Sequence, residues 1–184
     1  MLFSETIAFF VCTNRKKNLI LRVYKGALIM DTEGSPCWFA ATIRNAQWKK
    51  VGQRLAELGV KYYIPQAYNT LLFIHTVKIT ALSLVNSGTI SARYLIDHST
   101  HTLLQVPSKQ MEDFIRVMDL SPDAECMTQM PFRVGGRVKV IKGALNGVEG
   151  DIVELQDGLY LVVSVCSLLS AKVEIPKSYV VAID

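Results

Sequence analysis

Two histidines, His98 and His101, flank Ser99-Thr100 at a spacing that can grip a metal when a cysteine, a glutamate or a third histidine joins them. No such partner stands in a recognisable pattern with them, so the pair reads as part of a loop. The four cysteines, Cys12, Cys37, Cys126 and Cys166, are scattered and form no CxxC, which excludes a zinc ribbon or a thioredoxin-type pair. Asp97, Glu112 and Asp113 read as turn and helix-end residues rather than an acid–base pair. No phosphate-gripping glycine loop and no nucleophile elbow is present. The expectation is a chain that performs no catalysis and holds no metal or cofactor. What remains is recognition chemistry. Arg44, Lys49, Lys50 and Arg54 cluster about one helix start, where cations and free amides favour phosphate. Asn45 and Gln47 among them can read base edges. The plainer reading of the same residues is a solvated helix face.

These side chains need a scaffold, and the apolar pattern supplies one. Trp38 to Ile43 (WFAATI) reads as a buried strand. In Ala46 to Leu58, Trp48, Val51, Leu55 and Leu58 fall on one helical face, and Gly59 follows as the residue that closes the helix. Val60 to Ile64 is a strand stopped by Pro65, and Leu71 to Thr76 (LLFIHT) is another. Val77 to Asn86 reads as a helix closed by Ser87-Gly88. Ile90 to Ile96 and Leu103 to Val106 read as strands. Lys109 to Met118 reads as a helix with Ser108 as its N-cap and Met111, Phe114, Ile115 and Met118 as its packing stripe. The order predicts an α+β sandwich over residues 35–120.

Residues 121–131 (SPDAECMTQMP) are polar, carry prolines and lack periodicity, and so read as a linker. Beyond them, residues 132–184 are short strands and glycine turns: 137–141, 148–155, 159–165 and 171–175 alternate or run apolar, with an Asp157-Gly158 hairpin signal. That pattern predicts a small closed barrel of five strands. The chain carries a net charge of +4, is 50% hydrophobic and 20% charged, which fits a globular protein. Residues 35–120 hold nine Lys/Arg against five Asp/Glu, whereas 121–184 hold six against eight, so phosphate contact belongs to the first half. No apolar run reaches the roughly 20 residues of a helical membrane span.

Phe132 to Val153 (FRVGGRVKVIKGALNGVEGDIV) resembles the KOW motif, in which Gly143, Gly147 and Gly150 let the chain turn and the barrel bend. With the tryptophan-led strand, the basic helix and LLFIHT before it, the chain from Trp38 onward resembles the NusG family of transcription factors. The likeness is closest to its specialised RfaH and UpxY paralogues; VPSKQMEDFIRVMD (106–119) and LLSAKVEIPKSYV (168–180) carry the UpxY likeness. The resemblance implies an N-terminal NGN-like domain followed by an SH3-like KOW β-barrel. It implies that Trp38, Tyr68, Leu71 and Phe73 form an apolar cavity for the clamp helices of the largest RNA polymerase subunit, with Leu71 where relatives usually carry tyrosine. By the same likeness, the basic cluster touches the displaced non-template DNA strand, and the KOW domain recruits a ribosomal protein or Rho.

The implied activity is antitermination and processive elongation, on operons for capsular or other surface polysaccharide, by a cytoplasmic monomer. The run LYLVVSV, rich in β-branched residues, argues for a stable barrel rather than one that refolds. Two alternatives are a general NusG factor and a ribosome-associated KOW protein that binds RNA; the second predicts a basic KOW domain, against the acidic balance here. Residues 1–34 read as an upstream extension with Met30 as the functional start, or as an added hairpin.

Overall fold

In the computed structural model, which describes residues 9–14, 17–24, 27–31, 35–129 and 135–183, the first regular elements are three strands. β1 (Phe9–Asn14), β2 (Lys17–Tyr24) and β3 (Ala27–Asp31) form an antiparallel meander, in which Met30 of β3 pairs with Leu21 of β2. The chain as a whole is mixed α+β and divides into two compact units, Met1–Gln105 and Val106–Asp184.

The main sheet of the first unit is built on β4 (Cys37–Ile43). It pairs antiparallel with β6 (Leu71–Thr76), which pairs in turn with the short edge strand β5 (Lys61–Tyr63). β7 (Ala92–Tyr94) also pairs with β4, and β8 (Ile96–Asp97) forms a two-stranded ribbon with β9 (Thr102–Leu103). The strands expected at 90–96 and 103–106 are therefore each split, and the two-residue β10 (Gln105–Val106) completes the sheet order β10–β4–β6–β5. The first split falls at Leu95, whose amide donates to the Ala40 carbonyl while its own carbonyl accepts from the Leu104 amide.

Helix α1 (Trp48–Glu57) follows a 3-10 turn at Asn45–Gln47. Its apolar stripe puts Val51 and Leu55 into the core, each worth about 1.5–3 kcal/mol of burial. The helix ends as its sequence requires: Gly59 takes φ +66, its amide donates to Ala56 O, and the Val60 amide donates to Leu55 O. These are the two bonds of a Schellman cap. Helix α2 (Lys78–Asn86) closes at Ser87, whose hydroxyl donates to Ser83 O at 2.6 Å, and Gly88 at φ +69. Both helices cover one side of the sheet, where Ala41, Ile43, Leu72, Ile74, Val51, Leu55, Leu84 and Ile90 make the core.

Helix α3 (Ser108–Leu120) belongs to the second unit, although its sequence position places it with the first domain. It packs on β14 (Gly158–Val165) and β15 (Leu169–Glu174), with Met111, Phe114 and Val117 fully buried. Pro107, not Ser108, occupies the cap position, and no side chain caps the helix start.

The closed five-stranded barrel expected here is instead a sheet of six strands in the order β11–β15–β14–β13–β12–β16. Its inner strands β12 and β13 span Arg137–Val140 and Glu149–Leu155. The end strands are three residues each. β11 (Glu125–Met127) arises inside the segment that reads as a linker, and β16 (Val180–Ala182) lies beyond the last expected strand. Among the described residues these ends do not pair with one another, so the sheet stays open, with edges kept short. No helix among the described residues is long and apolar enough to cross a membrane.

Candidate functional site

Strand register sorts the candidate residues by face. Residues opposite one another in antiparallel strands point to the same side. Trp38 pairs with His75, which pairs with Lys61; Ala40 pairs with Phe73, which pairs with Tyr63; Thr42 pairs with Leu71. Trp38, Leu71 and Phe73 therefore share one face of the sheet with Tyr63, His75 and Lys61. The aliphatic residues Ala41, Leu72 and Ile74 share the opposite face, under the helices. The sheet thus packs one face under the helices, where Phe39, Tyr62 and Tyr94 join the aliphatic residues, and carries Trp38, Tyr63, Phe73, His75 and Lys61 on the other.

That second face is not open throughout. Trp38 is 1% exposed and Phe73 0%, so neither offers surface to a partner in this conformation, contrary to the cavity role given to them by resemblance. Leu71 is half-buried, as is Tyr68, which sits in the 3-10 turn Gln66–Tyr68 just before β6. The Trp38 ring lies 5.0 Å from the His75 ring and 5.3 Å from the Lys61 ammonium, and its indole N–H, fully buried, meets no acceptor among the described residues. On the core side, Tyr94 donates its hydroxyl to Ala81 O at 2.7 Å, and burial pushes its ionisation well above the ordinary range.

The basic cluster divides around α1. Gln47, Lys50 and Arg54 line one flank and face Gly88, Thr89 and Ser91 of the turn after α2, forming a groove of about 500 Å³. Arg54 also bridges to Glu57 at 3.1 Å, both ends exposed. Arg44 is exposed beside the helix start. Lys49 lies on the other flank, its ammonium 5.3 Å from the Trp48 ring centroid. The side chain of Asn45 lies outside the described residues. Thr89 and Ser91, hydroxyl donors that complete the groove, were missed from sequence because an uncharged turn gives no electrostatic signal.

In the second unit the three motif glycines each answer a local demand. Gly143 and Gly147 take φ +77 and +92. A Cβ at Gly150 would come within 2.5 Å of the Val162 carbonyl oxygen on the neighbouring strand. Residues 132–134, which open the motif, lie outside the described residues. The Gly143–Gly147 loop is held by α3: Arg116 donates to the carbonyls of Asn146 (2.7 Å) and Ala144 (2.8 Å), and Lys109 donates to that of Gly147 (2.9 Å). The buried Asp113 carboxylate accepts from Lys109 and from the Glu149 amide.

His98 and His101 stand in the turn between β8 and β9, where Asp97 accepts bonds from the Ser99 amide and hydroxyl. Those bonds lower the Asp97 carboxyl below its usual range. No group of three or more potential metal ligands occurs among the described residues. Cys37 and Cys126 are half-buried free thiols, the half-buried Cys166 donates its thiol to Gln110 Oε1 at 3.9 Å, and burial pushes the Cys126 thiol up to about 11. Neither a protein-family model nor a curated protein matches the chain.

Proposed function

We propose that this chain is a non-enzymatic transcription elongation and antitermination factor of the NusG type, specialised for surface-polysaccharide operons. In this reading the first unit is the NGN-like, polymerase-binding domain and the second an SH3-like KOW domain. The observation that carries the reading is the two-faced sheet. Three of the four residues assigned to the clamp contact by resemblance, Trp38, Leu71 and Phe73, fall together on the face of β4 and β6 opposite the one packed under the helices. Partner contact would start at the half-buried Leu71 and Tyr68, with Trp38 and Phe73 setting the shape beneath them.

The groove on α1 supports the nucleic-acid half of the reading. Lys50 and Arg54 supply phosphate contacts, and Gln47, Thr89 and Ser91 supply uncharged donors and acceptors suited to a displaced single strand. Such a factor performs no chemistry. It favours the elongating state of the polymerase by binding it better than the paused state.

The test is capture of RNA polymerase subunits from nuclease-treated lysate by the tagged full chain, beside a Leu71→Glu variant. Leu71 is chosen because Phe73→Glu would place a charge in the core. Polymerase retained by the wild type and lost by Leu71→Glu, with unchanged circular dichroism, is the expected result. Ribosomal proteins captured without polymerase would favour the ribosome-associated alternative and sink this one.

A further inference from the structure

We infer that the cleft on the far flank of α1, walled by β5 and the turn at residues 65–69, is a binding site for a small acidic sugar of the uronic-acid class. The inference stands apart from the transcription reading: it concerns a free small molecule, and its test uses neither polymerase nor nucleic acid.

The cleft encloses about 610 Å³, room for one or two pyranose rings. Trp48, Tyr62 and Tyr63 supply its aromatic surface, and Lys49, Gln66 and Asn69 its polar groups. Among the described residues no acidic side chain lines it, and Lys49 is its one cation. A pyranose divides its surface in the same way. It has a C–H face that packs on an aromatic ring and a rim of hydroxyls. Each hydroxyl both donates and accepts, and so do side-chain amides and tyrosine hydroxyls. A purely apolar ligand would cover the two amides without pairing them, which costs free energy.

Lys49 decides the charge of the ligand. Its ammonium lies 5.3 Å from the Trp48 ring centroid, so a positive charge stands at the aromatic wall. No carboxylate of the cleft neutralises it. A single cation suits a single carboxylate on the sugar and offers little to a polyanion.

Gly52 keeps the cleft open. Helix interiors disfavour glycine. A Cβ here would meet the Tyr62 hydroxyl at 3.1 Å and its ring at 3.3 Å. Without that Cβ, Tyr62 lies against α1, and its ring borders the cleft instead of filling it. Trp48 and Tyr62 also pack on the core beneath. Two of the three rings are therefore fixed before a ligand arrives, which lowers the entropic cost of binding.

The experiment is ligand-observed saturation-transfer NMR on the full chain. The probes are the methyl glycosides of glucuronic, galacturonic and mannuronic acids, each beside its neutral parent sugar. Cyclohexanecarboxylate serves as an acid without hydroxyls. At least one uronide should bind with a dissociation constant of about 1 mM. Saturation should reach its ring C–H protons, as packing on the aromatic wall requires. It should bind about two- to fivefold tighter than its neutral parent, the worth of an exposed ion pair. Lys49→Gln should erase that preference, whereas Lys139→Gln, which removes the same charge from the second unit, should leave it intact. Asn69→Ala should weaken uronide and parent alike by about two- to tenfold, the loss of one hydrogen bond, with unchanged circular dichroism. No binding of any uronide at about 10 mM, or a preference that survives Lys49→Gln, would overturn the inference. Cyclohexanecarboxylate bound as tightly as the best uronide would assign the cleft to an apolar acid and overturn it as well.

Discussion

Gly150→Ala isolates one atom. The added Cβ would sit 2.5 Å from the Val162 carbonyl oxygen and 3.1 Å from both Leu161 Cδ1 and Val163 Cγ2. The nearest obstacle is backbone in β14, so no rotamer change relieves it; β13 and β14 must separate. Overpacking of this kind costs about 1–3 kcal/mol, and a backbone obstacle puts the cost at the upper end. At about 4–8 °C per kcal/mol for a unit of this size, the melting temperature should fall by about 12–24 °C. The assay is thermal unfolding of the full chain by far-ultraviolet circular dichroism, read beside tryptophan emission. Both tryptophans lie in the first unit, so emission reports that unit and the dichroism reports both. The control is Gly136→Ala, where a Cβ meets nothing within 4 Å and the backbone needs no positive φ. Dichroism should show the large loss in Gly150→Ala only. A Gly150→Ala variant that melts with Gly136→Ala would refute the close-approach account of the motif glycine.

Three further outcomes are expected. The turn joining β14 to β15 places Cys166 and Ser167 at φ +44 and +57, with the Leu168 amide donating to Val165 O; Cys166→Asn with Ser167→Gly, the pair this turn type favours, should raise stability by about 1 kcal/mol in urea unfolding. Arg116→Ala should free the carbonyls of Ala144 and Asn146, cost about 1 kcal/mol, and speed hydrogen exchange at the Gly147 and Val148 amides, as read by mass spectrometry. Alkylation of Cys126 by iodoacetamide should be slow at pH 8 and accelerate as pH climbs toward about 11. Because folding raises that pKa, its contribution to stability is complete below the unfolded thiol's pKa and is lost as pH rises through the folded one, so the midpoint of denaturant unfolding should drop across that window.

Much of the fold was legible because periodicity states which face is buried. WFAATI, LLFIHT and the stripe through Val51 and Leu55 each announced their element, and Gly59 announced the end of α1. The misses have physical causes. β11 lies in a polar run with no alternation, and it forms because β15 offers it an edge, which is a tertiary fact. The Cys166-Ser167 turn carries neither glycine nor asparagine, so nothing local marked it. Helix α3 was read correctly as a helix but joined to the wrong neighbours, since its apolar stripe says that it packs and not on what. The candidate site was legible in part. The resemblance named Trp38, Leu71 and Phe73, but their common face follows from the register of β4 on β6, and their burial depends on everything else that folds. The groove partners Thr89 and Ser91 come from a turn whose proximity to α1 exists only in three dimensions.

The anchoring of α3 sets the boundary of the piece that could be moved between proteins. The glycine-rich motif suggests a module that begins after the polar segment 121–131. A fragment cut there would lose Arg116 and Lys109, which tether the Gly143–Gly147 loop, and would strip from β14 and β15 the helix that packs on them. The inheritable cassette is therefore Val106 to the C-terminus, helix included. Recombination at the apparent linker would leave two damaged halves, whereas exchange one helix earlier would carry an intact unit.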